Sequence, residues 1–172
     1  MKPIGSPRSP RVRGQGLVEF ALVLPIFLLL LFGLLDMGRG VYSNNTLSQA
    51  AREAARLAAT QAFWVGKADP ACNAPAGPVC PPVGTLKANV DAAAARTALG
   101  LGALQVYLRC DPATGSPPTG AWTGDGSTCD GTQTGGDLVS VRVAYNFTMV
   151  TPIVGQIANN LPMSASATML IN

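Results

Sequence analysis

One apolar run, residues 17–35, constrains the fold of this chain more than any other feature, and Glu19 is the only charged residue within it. As a helix with a rise of roughly 1.5 Å per residue, the run would be about 28 Å long. The hydrocarbon core of a bilayer is about 30 Å thick. The sequence therefore predicts one membrane-crossing helix, and we call residues 17–35 the anchor segment.

The charges on either side of the anchor segment are distributed unevenly. Residues 1–14 contain four basic residues and no acidic one, whereas residues 36–172 contain eight of each. Positive charge beside a membrane span stays on the cytoplasmic side, which predicts a cytoplasmic N-terminus and an exported C-terminal part. The proline-rich leader, residues 1–14, is expected to be disordered. The basic excess is thus an orientation signal, and no nucleic-acid partner is expected.

The cysteines indicate an oxidising compartment. All four, Cys72, Cys80, Cys110 and Cys129, follow the anchor segment on the predicted exported side. An even count outside the cytoplasm is typical of two disulfides, and four cysteines leave three pairings open. Pairing between neighbours would close two Cys-, Pro- and Gly-rich loops locally. The alternative is four buried free thiols.

The sequence lacks the residues of a catalytic or metal site. It contains no histidine, which removes the commonest general base and the commonest metal ligand. The cysteines form no C-x-x-C pair, so zinc is not expected. Neither a nucleophile elbow nor a phosphate-binding glycine loop is present. We therefore predict a non-enzymatic protein with no catalytic residue, no metal site and no cofactor.

The sequence predicts that the anchor helix continues outside the membrane and that a second helix follows it. Beyond Asn45, a stripe at helical spacing continues the anchor helix outward, formed by Leu47, Ala51, Ala54 and Ala58. A second helix is predicted over residues 85–99, with Thr85 as N-cap and Gly100 as the stop signal. Its inward positions would be Leu86, Val90, Ala93 and Leu99.

Three segments alternate between apolar and polar residues in the manner of strands: residues 104–109, 138–150 and 163–171. The longest of them predicts one core face and one solvent face. Long helix, second helix and strands in this order predict an α+β fold, with helices on one face of a small antiparallel sheet.

The start of the anchor segment carries a recognisable motif. Residues 13–20 read RGQGLVEF, in which a glycine preceded by basic residues is followed, after four residues, by glutamate. This resembles the processing motif of type IV pilins and pseudopilins. The larger block GQGLVEFALVLPIFLLLLFGLLDMGR, with the later SQAAREAARLAAT, resembles the TadE-like family of minor pseudopilins, which accompany the tight-adherence (Flp, type IVb) pilus system.

That resemblance implies specific roles for four residues. A prepilin peptidase would cut after Gly14, so that Gln15 becomes the first residue and Glu19 the fifth. The new α-amino group would pair with the Glu19 carboxylate and set subunit register, whereas in the alternative Glu19 only snorkels to the headgroups. Major pilins of this system usually have tyrosine after the glutamate. Phe20 therefore favours a minor pseudopilin over a major one.

The resemblance also implies an organisation, a location and partners. We expect a basic leader (1–14), a membrane helix with an amphipathic extension (15–62) and an exported pilin-like α+β domain (63–172). The protein would lie in the bacterial inner membrane, possess one span and enter or assist a surface pilus. Its partners would be the membrane, the prepilin peptidase, other pilins or pseudopilins and the assembly platform.

Two other classes of function are compatible with the same residues. One is a single-pass anchored binding domain that faces the exterior and is never clipped. The other is an accessory subunit of a membrane enzyme, which the missing catalytic groups do not favour.

Overall fold

The computed structural model describes residues 14–67, 69, 72, 80–112, 122, 129, 133–151 and 160–171. The predicted leader, except for Gly14, and most of the two predicted loops lie outside this part of the chain. Within it the elements are α1 (Gln15–Gln61), a 3-10 turn (Ala62–Trp64), α2 (Leu86–Thr97), β1 (Gln105–Asp111), β2 (Leu138–Phe147) and β3 (Leu161–Leu170).

The long helix α1 contains both the anchor segment and the amphipathic stripe. It continues without interruption through Pro25. Its upper half is buried on the predicted side: Leu47, Ala51, Ala54 and Ala58 have no solvent exposure. Because alanine carries only a methyl group, this half of the helix lies close to the sheet.

The three strands form an antiparallel sheet in the order β1-β2-β3, with β2 in the centre. Gln105 pairs with Ala144 on one side of β2, and Phe147 pairs with Leu161 on the other. Val139, Val141 and Val143 are fully buried and, with Leu108, pack in the same core as the alanine stripe of α1. This confirms the predicted α+β layout of a long helix, a second helix and a small antiparallel sheet.

The two helices pack against each other and against the sheet, and a tight turn follows the first of them. Helix α1 contacts α2, β2 and β3, and the upper half of α1, α2 and the sheet together form what we call the α+β unit. After the 3-10 turn, Gly66 adopts a φ of 67° and donates a hydrogen bond to Pro81 O. A Cβ there would lie 2.6 Å from Val83 Cγ2, so the turn requires glycine.

The second helix begins where the sequence predicts it, but one of its expected inward positions was wrong. Leu99, expected to face inward, is 73 % exposed, because α2 ends at Thr97 and the helical phase no longer applies beyond it. Thr85 is the N-cap of α2, as predicted, but its side chain makes no capping bond. Its hydroxyl instead donates to Pro82 O.

The strand predicted over 138–150 stops three residues early, at Phe147. The backbone N–H of Val150 bonds to the side chain of Asp36 and not to a neighbouring strand. On the face of β2 expected to meet water, Ser140 is fully buried, and its hydroxyl bonds to that of Thr168 at 2.9 Å.

Candidate functional site

The first turn of α1 brings together the residues that the sequence singled out. Gly14 is the N-cap, in an ordinary right-handed conformation, and a Cβ at this position would meet no atom within 4 Å. The helix begins at Gln15, and Glu19 lies four residues later, on the same face one turn along. The two Cα atoms are thus separated by about 6 Å along the axis. Phe20 is 64 % exposed.

The anchor segment makes almost no contact with the rest of the described chain. Helix α1 is long and apolar enough to cross a membrane, and none of its most apolar window is buried. Large apolar side chains are exposed along the whole anchor segment, from Leu17 to Leu35. A buried core helix would have these side chains covered, so the exposed surface is of the kind that a membrane-crossing helix presents to lipid.

Directly after the anchor segment, Asp36 joins the helix to the end of β2. Its carboxylate accepts hydrogen bonds from the Val150 N–H at 2.9 Å, the Thr151 N–H at 2.8 Å and the Thr151 hydroxyl at 2.6 Å. Asp36 is 7 % exposed, and Thr151 is also buried. Residues 115 positions apart are thereby held in contact. We call this group of hydrogen bonds the Asp36 junction.

The hydrogen bonds of the junction favour the ionised form of the carboxyl group. The Thr151 hydroxyl has the largest effect, followed by the Val150 N–H, and together they hold the pKa of Asp36 below its ordinary value. Burial opposes this shift. Arg39 adds a smaller favourable effect, because its Nη1 lies 3.6 Å from Asp36 Oδ1.

Arg39 also reaches the sheet. Its guanidinium carbon lies 5.5 Å from the centre of the Phe147 ring, within the range of a cation–π contact. Since about half of the side chain is exposed, N–H donors of the guanidinium remain accessible. Arg39 therefore pairs with Asp36, contacts the Phe147 ring and still exposes part of its guanidinium group.

The structure joins the cysteines as neighbours. Cys72 bonds to Cys80, and Cys110 bonds to Cys129. Cys110 is the sixth residue of β1, and both it and Cys129 are buried in the core. The second disulfide thus fastens the chain after β1 to the sheet, while the first lies outside it.

The described residues form no cluster of metal ligands, and their most prominent feature is exposed apolar surface. Among them, no three histidine, cysteine or acidic side chains are grouped so as to hold a metal ion. The outstanding features are the exposed helix, the Gly14–Glu19 turn at its start and the Asp36 junction at its end. Such an arrangement can insert into a membrane, hold a rigid folded unit above it and contact other helices.

Comparison with known families identifies the same part of the chain. Residues 14–56 match the family of TadE-like proteins. The N-terminal helix is TadE-like. The match begins at Gly14, includes the anchor segment and Asp36, and ends within the alanine stripe. It confirms the resemblance to TadE-like proteins over this part of the chain. No curated protein and no solved structure gives a match.

Sequence reasoning located Asp36 but missed its role. In the sequence, Asp36 and Arg39 stand directly beyond the anchor segment, close enough along a helix to pair with each other. The main partners lie at and just after the end of the strand predicted over 138–150, far along the chain. A signal was available only in Asp36 itself, since an acid beside an apolar run needs a partner.

Proposed function

We propose that this protein is a minor pseudopilin of the tight-adherence (Flp, type IVb) system, inserted in the bacterial inner membrane with its N-terminus in the cytoplasm. A prepilin peptidase removes residues 1–14, residues 15–62 form the anchor with its extension, and residues 63–172 form the exported domain. Other pilins or pseudopilins and the assembly platform are its partners. The observation that carries the proposal is the TadE-like match, which begins at Gly14.

The geometry of the first helical turn supports the proposed clipping. Helix α1 begins at Gln15, so cleavage after Gly14 leaves the whole helix intact and places a new α-amino group at its first residue. Glu19 lies on the same helical face one turn further. The amino group of the same or a neighbouring subunit can then neutralise a carboxylate that is costly in lipid.

The clipping is tested by mass spectrometry of the protein from cells that contain an active prepilin peptidase. We expect a mature N-terminus at Gln15. Gly14→Leu should abolish clipping while leaving the fold intact, because a side chain at Gly14 meets no other atom. Gly16→Leu is the matched control: it is equally open, lies after the cut bond and should still be processed.

Recovery of the intact leader from such cells would contradict the proposal and favour an unprocessed, membrane-anchored binding domain. Continued cleavage of Gly14→Leu at the same bond would show that the assigned site is wrong.

The role of Glu19 is tested separately by fibre production. Glu19→Gln keeps the size of the side chain and removes its charge, so we expect pili to be lost or strongly reduced. Glu53→Gln is the control, since Glu53 contacts Arg56 on the exposed side of α1 beyond the membrane. Normal piliation of both Glu19→Gln and Gly14→Leu cells would remove the basis of the pilus assignment.

A further inference from the structure

An apolar groove opens between the outer end of the anchor segment and the end of the sheet. It has a volume of about 400 Å³ and is bordered by Gly33, Met37 and Gly40 on the helix and by Met149 and Leu161 on the sheet side. Asp36 and Thr151 are the only polar side chains among its lining residues, and they are already hydrogen-bonded to each other. The groove therefore offers apolar surface and little for a polar ligand to bind.

The Asp36 junction fixes the height of the groove relative to a membrane. Asp36 immediately follows the anchor segment, and it holds Val150 and Thr151 at its own level. With a helical rise of about 1.5 Å per residue, Gly33 lies about 4.5 Å toward the bilayer centre from Asp36. Val41, on the other border, lies about 7.5 Å outward. The groove thus extends from the edge of the hydrocarbon core into the headgroup layer, which is several ångströms thick.

The side chains around the groove suit that depth. Leu161, which lines the groove, is 47 % exposed although it adjoins the folded core, and Val150, between the lining residues Met149 and Thr151, is 59 % exposed. Met37 is also largely exposed, and a flexible methionine adapts to partners of irregular shape. Tyr42, exposed two turns beyond the anchor segment, is the residue type found at membrane interfaces.

We propose that the groove is occupied by phospholipid acyl chains of the leaflet on the side of the α+β unit, so that this end of the sheet is seated in the membrane surface. The groove is continuous with the lipid-facing side of the anchor segment, because Gly33 belongs to both. Arg39, half-exposed and one turn outward, lies at the level of lipid phosphates. If a second copy of the chain occupied the groove instead, one of its helices would have to displace lipid from it.

This inference rests on the membrane crossing and not on the pilus role. An apolar end of a sheet in this position buries its side chains at the headgroup–acyl boundary, as interfacial helices do. The α+β unit then has two membrane contacts, the anchor segment and the sheet end. Their separation is set by the Asp36 junction.

Photocrosslinking in vesicles of phosphatidylcholine and phosphatidylglycerol tests the proposal on the full-length protein. A benzoylphenylalanine in place of Leu161 should form lipid adducts, detected by mass spectrometry. The matched control is the same residue in place of Leu170, which is 63 % exposed at the other end of β3. That position lies about 30 Å along the strand. We expect at least about tenfold more lipid adduct at position 161 than at position 170.

A third site, Leu30 in the anchor segment, reports on membrane insertion itself. Lipid adducts at Leu30 without a preference for Leu161 over Leu170 would overturn the seated sheet end and leave the membrane crossing standing. A lack of lipid adducts at all three sites would overturn both. A crosslink from position 161 mainly to a second copy of the chain would assign the groove to a protein contact and overturn the proposal.

Filling the groove gives an independent measurement. Gly40→Leu places a side chain in the groove, and its Cβ meets no atom within 4 Å. We expect about threefold less lipid adduct at position 161, because leucine takes the apolar volume that lipid would fill. Gly38→Leu is equally open but lies outside the groove, and it should leave the yield unchanged. Equal yields for the two variants would overturn the assignment of lipid to this groove.

Discussion

Asp36 shows how a single charged residue can connect a membrane helix with a folded unit. Its carboxylate lies one residue beyond the anchor segment and accepts hydrogen bonds from two backbone N–H groups and one hydroxyl. Charge-assisted hydrogen bonds of this kind are stronger than those between neutral groups. The bonds also provide acceptors for the N–H groups of Val150 and Thr151, which come shortly after the end of β2.

Removing the carboxylate should loosen the end of β2 before it affects the core. In Asp36→Ala, we expect the amide hydrogens of Val150 and Thr151 to exchange about tenfold faster, because both lose their acceptor. Hydrogen exchange in detergent micelles measures this locally. Asp91→Ala is the control, since Asp91 only pairs with Lys87 on the surface of α2. Unchanged exchange at both amides would contradict the assigned role of the junction.

The stabilising effect of Asp36 should depend on pH in one direction. Its pKa is lowered in the folded protein, so its contribution is fully present above the unfolded-state value of about 3.9 and is lost as the pH falls through the lower folded-state value. The difference in thermal midpoint between the native protein and Asp36→Ala should therefore be large at neutral pH and disappear in strong acid. A difference that grows on acidification would contradict this assignment.

At the scale of elements, the alanine stripe explains how one helix serves two environments. In the anchor segment α1 presents bulky side chains on all sides, whereas from Leu47 onward its buried face is mostly alanine. Bulky residues suit lipid, and methyl groups permit close approach to the valines of β2. The same 47-residue helix is therefore a membrane span below and a core helix above.

Enlarging the stripe should destabilise the α+β unit. Ala54 has no exposure, so Ala54→Leu must displace neighbouring side chains and should cost about 1–3 kcal/mol of unfolding free energy. Ala92→Leu on the exposed side of α2 is the matched control and should change it by less than about 0.5 kcal/mol. Urea denaturation of the two variants in the same detergent makes the comparison. Equal effects would show that the stripe is not tightly packed.

The helices and strands could be predicted where the sequence pattern that indicates them is local. The stripe of α1, the inward faces of Leu86 and Val90 and the alternation of β2 all follow from periodicity. The ends were less predictable. Leu99 falls outside α2, and β2 stops at Phe147, after which the Val150 N–H donates to the distant Asp36 carboxylate and not to a strand. Gly100 marks the end of α2 only approximately, and the alternation typical of a strand continues beyond the end of β2.

At the scale of the whole molecule, two disulfides and the Asp36 carboxylate add cross-links to the packing of the core. Cys110–Cys129 closes a loop onto a buried position of β1, whereas Cys72–Cys80 closes a shorter one outside the sheet. Both pairings are local, so each limits the freedom of its own loop and not the relative positions of the strands.

The two disulfides should differ in their contribution to stability. Cys110→Ser with Cys129→Ser should lower the unfolding free energy by about 3 kcal/mol from loop closure, with a further loss from two buried sulfurs. The Cys72–Cys80 disulfide closes a smaller loop and is less buried. Its removal by Cys72→Ser with Cys80→Ser should therefore lower the unfolding free energy by less. Urea unfolding without reductant compares the two double variants. A larger loss from the Cys72–Cys80 variant would contradict the structural ranking.

By itself, the sequence determined the anchor segment, the motif at Gly14–Glu19 and the α+β class, because length, charge asymmetry and periodicity are properties of neighbouring residues. The tertiary structure alone decided which of three cysteine pairings forms and what Asp36 binds. It also decided that the end of the sheet lies level with the end of the anchor segment. These features depend on contacts between residues up to 115 positions apart, and only the folded path of the chain brings such residues within bonding distance.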